Sequence, residues 1–135
     1  MPSWNTPRPP SVANGHAPST LPLLLVDDEP EIQDLLCAVL EDEGFRVITA
    51  NNGVAAHVLI QRTPVALVLT DLMMPGGSGL ELAQRLRSDP QTAAIPLILM
   101  SAAMPPQVSE LFAQVLHKPF SIDVVVAMVR QVLAQ

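Results

Sequence analysis

Several features that are scarce in this sequence exclude whole classes of protein. It has one cysteine, Cys37, which rules out an internal disulfide and favours a reducing compartment. No apolar run approaches the roughly 20 residues that a membrane-spanning helix needs. Residues 1–20 also lack the continuous apolar core of a signal peptide. We therefore expect a cytoplasmic protein with no membrane partner.

Positive charge is scarce as well. The chain has 7 lysines and arginines against 13 aspartates and glutamates, which gives a net charge of −6. Because nucleic acids are bound by basic surfaces, this balance argues against a nucleic-acid partner and favours a protein or a small anion. Lys118 is the only lysine, and it follows a short apolar run after the intervening His117.

Two regions of the chain differ in composition. Residues 1–20 contain five prolines among serine, asparagine, threonine and glycine, which predicts a flexible tail. Residues 21–135 are mostly apolar and predict one domain, long enough to bury a core without disulfides or metals.

Short apolar runs alternate with helical patterns throughout the predicted domain. Runs that do not alternate with polar residues are typical of strands buried on both faces of a parallel sheet. The alternation predicts an α/β fold with a doubly wound, five-stranded parallel sheet and helices on both faces. The predicted strands are residues 21–26, 45–50, 65–70, 95–100 and 115–117.

The predicted helices carry start signals. Pro30 stands where a first helical turn tolerates proline. Ser78 and Glu81 have the spacing of a capping box, and Ser121 is placed to cap the last helix. Residues 105–113 leave room for only a short helix, so the fourth of the five expected helices is shortened.

Acidic residues follow the first and third predicted strands. Asp27 and Asp28 come after the first strand, and Asp71 comes after the third. They meet only if these strands are neighbours, as in the flavodoxin-like strand order 2-1-3-4-5. Carboxylates about 4 to 5 Å apart repel by about 3 to 4 kcal/mol per pair, so a cation must offset them. Mg²⁺ suits such an all-oxygen site, whereas zinc prefers the histidine and cysteine that are absent beside these aspartates.

A strand-end carboxylate beside a divalent cation is a competent nucleophile toward a phosphoryl group, and Asp71 is the candidate. Phosphoryl transfer requires charge neutralisation around three equatorial oxygens. Mg²⁺ can neutralise one oxygen, Lys118 a second, and the Ser101 hydroxyl with nearby N–H groups the third. A helix-capping role would explain one of Asp27 and Asp28, but not both together with Asp71.

Four segments resemble the receiver domain of bacterial two-component response regulators. The resemblance covers about residues 21–135, and the segments occur in the family's order, with family-like spacing from Asp28 through Ser101. They are residues 24–30, 70–81, 99–102 and 117–120, which read LLVDDEP, TDLMMPGGSGLE, LMSA and HKPF.

This resemblance implies a phosphorylation site. Asp71 would accept a phosphoryl group from a histidine kinase or a phosphotransfer protein. Mg²⁺ would be bound by Asp28, Asp71 and the Met73 carbonyl, with Asp27 acting through water.

The resemblance also implies how phosphorylation is sensed and where the donor docks. Ser101 would be the hydroxyl switch and Lys118 the phosphate-sensing cation, followed by a cis peptide bond to Pro119. The exposed edge of the first helix would dock the phosphodonor, with Gln33 and Leu36 serving both docking and core.

The chain departs from the family pattern in two places. Val115 stands where family members carry an aromatic residue three positions before the lysine, and the stretch between Ser101 and Lys118 is shorter than usual. We therefore expect phosphorylation to be retained while its readout differs.

We expect a stand-alone receiver domain, a monomer or weak homodimer, that is not an enzyme. Phosphorylation would change its binding to a downstream protein target. Two alternatives stay open. One is a binding module of the same fold that does not use phosphorylation. The other is a phosphatase with an aspartate nucleophile, a class that usually has a second aspartate where this chain has Met73.

Overall fold

The computed structural model describes residues 21–102 and 110–135. The tail predicted over residues 1–20 lies outside these ranges. In chain order the elements are β1 (Leu23–Val26), α1 (Pro30–Asp42), β2 (Val47–Ala50), α2 (Gly53–Arg62), β3 (Leu67–Asp71), α3 (Gly79–Ser88), β4 (Leu97–Ser101), β5 (Gln114–His117) and α4 (Ile122–Leu133).

The five strands form one parallel sheet in the order β2-β1-β3-β4-β5. The predicted fold class and strand order are therefore confirmed. The ladder of β1 begins after Pro22 and that of β4 after Pro96, later than predicted. Proline has no N–H group to donate to a ladder, so it favours a position before the first paired residue.

Side chains of each strand alternate between two apolar layers. In β1, Leu24 and Val26 face the layer covered by α2 and α3, whereas Leu23 and Leu25 face the layer covered by α1 and α4. Because both faces are covered, the central strands are continuously apolar up to the polar residues at their carboxyl ends, instead of alternating apolar and polar residues. The apolar runs that predicted these strands follow directly from this packing.

The helix start signals act as predicted. Pro30 begins α1, and the Ser78 and Ser121 hydroxyls accept hydrogen bonds from N–H groups in the first turns of α3 and α4. Ser78 and Glu81 form a complete capping box.

Residues 103–109 lie outside the described ranges. The part of the predicted short helix that falls on residues 105–109 is therefore not described. Residues 110–113 form a turn and an irregular segment. The Arg87 guanidinium holds this segment, because it donates to the carbonyl oxygens of Ala93 at 2.9 Å, Ile95 at 2.8 Å and Leu111 at 2.8 Å. The end of α3 is thereby tied to the chain that enters β5.

Candidate functional site

Three aspartates converge at the carboxyl edge of the sheet. β1 pairs with β3 so that Val26 lies beside Thr70. The next residues, Asp27 and Asp71, therefore reach the same edge. Oxygen atoms of Asp27, Asp28 and Asp71 lie within 4.8 Å of one another. Asp27 is buried, Asp71 is half-buried and Asp28 is exposed, so the cluster opens to solvent on one side.

Lys118 reaches this cluster from the end of β5. β5 pairs with β4 so that His117 lies beside Ser101, and the Lys118 N–H donates to the Ser101 carbonyl at 2.9 Å. The peptide bond between Lys118 and Pro119 is cis, as the resemblance implied. The parallel sheet thus brings together residues that are far apart in the chain.

The ammonium group of Lys118 is shared among three carboxylates. Its Nζ atom lies 3.3 Å from Asp71 Oδ1, 3.5 Å from Asp27 Oδ2 and 3.8 Å from Glu29 Oε1, and it donates a hydrogen bond to Asp71. Burial lowers the pKa of Lys118, but the surrounding carboxylates more than compensate and raise the pKa above its ordinary value. Lys118 is therefore positively charged at neutral pH.

The carboxyl group of Asp71 has a raised pKa. Burial is the largest cause and raises it; Lys118 lowers it and Asp27 raises it again. The ammonium group of Lys118 therefore does not fully offset the burial of Asp71 together with the negative charge of Asp27. An additional cation would stabilise the ionised carboxylate.

One buried oxygen atom of the cluster lacks a hydrogen bond. Asp27 Oδ1 accepts from the Glu29 N–H at 2.9 Å, but the buried Asp27 Oδ2 has no hydrogen-bond partner. A buried carboxylate oxygen without a hydrogen bond is costly, and a divalent cation is the kind of partner that would offset this cost. The all-carboxylate donor set also matches the oxygen ligands that Mg²⁺ prefers. The site is therefore compatible with Mg²⁺.

Ser101 and Met73 are placed differently from the aspartates. Ser101 is the last residue of β4 and is buried, one position beyond the Met100 that pairs with Asp71. The Met73 side chain is 74% exposed, just after β3. Binding of the metal by the Met73 backbone carbonyl remains a prediction.

Two hydrogen bonds and the close packing of Gly79 fix the main chain around Asp71. The Leu72 N–H donates to Asp71 Oδ1 at 3.0 Å, and the Thr70 hydroxyl donates to the Asp71 carbonyl at 2.9 Å. Gly79, the first residue of α3, packs directly on that carbonyl, because a Cβ atom at this position would lie 2.2 Å from the oxygen. Only glycine allows α3 to begin so close to the end of β3.

Glu29 and Gln33, at the start of α1, make contacts with the site that the sequence did not predict. Glu29 is the N-cap residue of α1, yet its side chain caps no N–H group and lies near Lys118 instead. The Gln33 amide group lies across the ends of β1 and β2. Neither contact has a local signal in the sequence, since each joins residues brought together only by folding.

One expectation for α1 is wrong. Leu36 was expected to contribute to both core and docking surface, but its side chain is fully buried. The adjacent Leu35 is 43% exposed. Because Leu35 and Leu36 both fit the apolar spacing of the helix, the pattern does not tell which of them faces the sheet.

Comparison with known proteins agrees with this fold. Residues 23–130 match the family described as the response regulator receiver domain. The chain belongs to this family.

Across the described residues, no helix has both the length and the apolar character to span a membrane.

Two curated relatives illustrate the similarity. The response regulator Rre1 of Synechocystis is 37% identical over 119 residues, which are 84% of this chain and 52% of that protein. The phosphate regulon transcriptional regulatory protein PhoB of Pseudomonas aeruginosa is 41% identical over 80 residues, which are 59% of this chain and 35% of that protein. This chain thus spans about half the length of these relatives, or less.

Solved structures have the same fold. The response regulator TrrA of Thermotoga maritima, in complex with Mg²⁺-BeF, superposes with a TM-score of 0.76 at 32% identity and covers 83% of this chain and 98% of that chain. The chemotaxis response regulator CheY4 of Vibrio cholerae superposes with a TM-score of 0.77 at 24% identity, with 84% and 99% covered.

Proposed function

We propose that this protein is a phosphorylation-switched signalling protein in which Asp71 is the phosphoryl acceptor. The donor is a histidine kinase or a phosphotransfer protein, and phosphorylation changes the binding of a downstream protein target. The observation that carries this proposal is the position of Asp71. It lies in an acidic cluster open to solvent, with the charged Nζ of Lys118 at 3.3 Å.

The chemical step is a displacement at phosphorus. A carboxylate oxygen of Asp71 forms a bond to phosphorus while the bond between phosphorus and the donor breaks. The electron pair of that bond leaves with the donor group, which is an imidazole nitrogen of a phosphohistidine or the acetate of acetyl phosphate. Asp71 reacts in its ionised form, so no proton has to be removed from the nucleophile.

Lys118 and Ser101 are proposed to receive the transferred group. The ammonium of Lys118 hydrogen-bonds to Asp71 Oδ1 before transfer, and it is placed to neutralise an oxygen of the new phosphoryl group. Ser101, at the end of the strand next to β3, is proposed to donate its hydroxyl to a second oxygen. These contacts would pull the ends of β4 and β5 toward Asp71.

Mg²⁺ is the proposed cofactor. Asp28, Asp71 and the Met73 carbonyl would hold it, with Asp27 acting through water. The bound ion supplies charge neutralisation for the phosphoryl oxygens. The relative TrrA, at 32% identity, has been solved in complex with Mg²⁺-BeF, which supports Mg²⁺ as the ion proposed for this protein.

Phosphorylation of a defined residue tests the proposal directly. We expect incubation of the full chain with acetyl phosphate and Mg²⁺ to add the mass of one phosphoryl group to the wild type and none to Asp71→Asn. Intact-mass spectrometry measures this gain. Asp42→Asn is the matched control, because Asp42 is an exposed aspartate at the far end of α1 and should leave the gain unchanged.

Two outcomes would contradict this assignment. A wild type that gains no phosphoryl group would favour a binding module that does not use phosphorylation. Continuous release of inorganic phosphate from a phosphorylated substrate would favour a phosphatase.

The cofactor has its own test. At ten times its Kd, Mg²⁺ should stabilise the native state by about 1.4 kcal/mol, which corresponds to a rise in Tm of about 5 °C for a domain of this size. Asp28→Asn should reduce this rise, because it removes one carboxylate of the cluster, whereas Asp42→Asn should not. A wild-type Tm that does not respond to Mg²⁺ in a calorimetric scan would argue against the metal site.

We also propose the domain bounds, the class of partner, the location and the oligomeric state. Residues 21–135 form the receiver domain, preceded by a Pro-rich tail over residues 1–20. The net charge of −6 supports a protein partner and not a nucleic acid. We propose that the domain acts in the cytoplasm as a monomer or weak homodimer.

A further inference from the structure

We propose that Gln33 is a positioning residue that fixes the orientation of Asp27 and Asp28 for the divalent cation. This inference rests on the proposed function, since it concerns the same site. Gln33 lies in the first turns of α1, and nothing in its sequence position marks it for this role.

The amide nitrogen of Gln33 joins two neighbouring strands at their carboxyl ends. Nε2 lies 2.6 Å from the Asp27 carbonyl oxygen, 3.1 Å from the Ala50 carbonyl oxygen and 3.0 Å from Asn51 Oδ1. Its two hydrogen atoms therefore serve three acceptors, two of which are main-chain carbonyls at the ends of β1 and β2. A side chain held at three points has little freedom to move.

The bond to Asp27 acts on the metal site through a peptide plane. The Asp27 carbonyl belongs to the peptide bond that joins Asp27 to Asp28, and peptide bonds are planar. A hydrogen bond to this oxygen therefore restrains the rotation of the plane between the two residues. The directions of both carboxylate side chains depend on that rotation.

Asp27 is restrained at further points. Its N–H donates to the Ala50 carbonyl at 3.1 Å, and its Oδ1 accepts from the Glu29 N–H at 2.9 Å. Together with the bond from Gln33, these contacts hold the main chain and one carboxylate oxygen of Asp27. The other oxygen, Oδ2, is the buried atom without a hydrogen bond, and it lies 3.5 Å from Lys118 Nζ.

Gln33 also attaches α1 to the sheet where an ordinary helix cap is missing. Glu29 makes no side-chain cap bond, and the Gln33 N–H donates to the Glu29 carbonyl at 3.1 Å to begin the helix. The main chain of Gln33 thus closes the first turn while its side chain binds the strand ends. Residues that orient metal ligands without touching the metal typically influence its affinity strongly.

The test compares Mg²⁺ affinity with stability in the full chain. Gln33→Met keeps the length of the side chain but removes both donor hydrogens, and we expect the Kd for Mg²⁺, measured by isothermal titration calorimetry, to rise about tenfold. Raising the Mg²⁺ concentration in proportion should restore phosphorylation of Asp71 by acetyl phosphate. Restoration at high Mg²⁺ is expected if only the orientation of the ligands has changed.

Thr92→Val is the matched control for the loss of a side-chain hydrogen bond to the main chain. The Thr92 hydroxyl donates to the Leu86 carbonyl at 2.7 Å in a buried position after α3. We expect Thr92→Val to lower stability in urea without changing the Kd for Mg²⁺. If Gln33→Met does not fold, Gln33→Asn decides instead, because its amide is one methylene too short to reach the strand ends.

The possible failures are distinguishable. If the wild type does not bind Mg²⁺, the proposed function fails first. If the wild type binds Mg²⁺ and the Gln33 variants change its Kd by less than about twofold, Gln33 has only a structural role and the inference is overturned.

Discussion

The interior of the sheet and its carboxyl edge follow opposite rules, although the same strands form both. In the interior, Leu24, Leu69 and Leu99 are buried among apolar side chains on two covered faces. At the edge, acidic side chains surround a single ammonium group. The interior is arranged for stability, whereas the edge concentrates charge that folding alone would avoid.

This difference shows where a bound cation would stabilise the fold, namely at the carboxyl edge and not in the interior. Asp71 follows Leu69 by only two residues in β3, yet its pKa is raised by burial, whereas the leucine gains stability from burial. Truncating a leucine of the interior and neutralising Asp71 at the edge should therefore change the free energy of unfolding in opposite directions.

The largest effect is expected in β3. Leu69→Ala should lower the free energy of unfolding by about 2–5 kcal/mol, because it leaves a cavity in a fully packed layer. Asp71→Asn, in the same strand, should instead raise it by about 0.5–2 kcal/mol without Mg²⁺, since it removes a partly buried charge from the cluster. Urea unfolding without Mg²⁺ measures both, and destabilisation by both variants would contradict the contrast.

A smaller effect is expected from the only lysine. Removing one partner of a fully buried ion pair costs about 3–5 kcal/mol, and the partial exposure of Lys118 reduces the expected cost of Lys118→Met to about 2 kcal/mol. Arg130→Met is the matched control, because Arg130 forms an exposed ion pair with Glu43. Its cost should stay within about 1 kcal/mol in the same unfolding assay. An equal loss in the free energy of unfolding for the two variants would show that Lys118 stabilises the carboxylates at the sheet edge no more than a surface ion pair does.

The smallest effect is a pH dependence confined to the edge. Because the pKa of Asp71 is raised in the native state, the native protein binds this proton more tightly than the unfolded chain does. As pH rises from the ordinary aspartate pKa of about 4 through the raised pKa, Asp71 therefore lowers stability. The stability advantage of Asp71→Asn should grow over this window and then level off. Urea unfolding without Mg²⁺ at several pH values measures it, and an advantage independent of pH would contradict the prediction.

The elements that could be predicted share a local physical cause. Apolar runs in β1, β3 and β4 predict strands because both faces of a parallel sheet are covered. The capping box of Ser78 and Glu81 predicts the start of α3 because both of its hydrogen bonds lie within one helical turn. In these cases the information lies within a few consecutive residues.

The elements that could not be predicted depend on long-range contacts. The Gln33 amide contacts Ala50, 17 positions along the chain, and the Arg87 guanidinium contacts Leu111, 24 positions along. Helical spacing also left open whether Leu35 or Leu36 faces the sheet. Each of these depends on the exact approach of a helix to the strands, which periodicity does not specify.

The sequence by itself determined the strands, most helix starts and the chemical groups available at the strand ends, because these follow from local hydrophobicity and hydrogen bonding. Only the tertiary structure decided that Glu29 joins Lys118, that Asp27 Oδ2 is left without a hydrogen bond, and that Gln33 crosses the strand ends. The reason is that distances between charged and polar groups are set when separate elements pack together. Such distances are absent from the order of the residues.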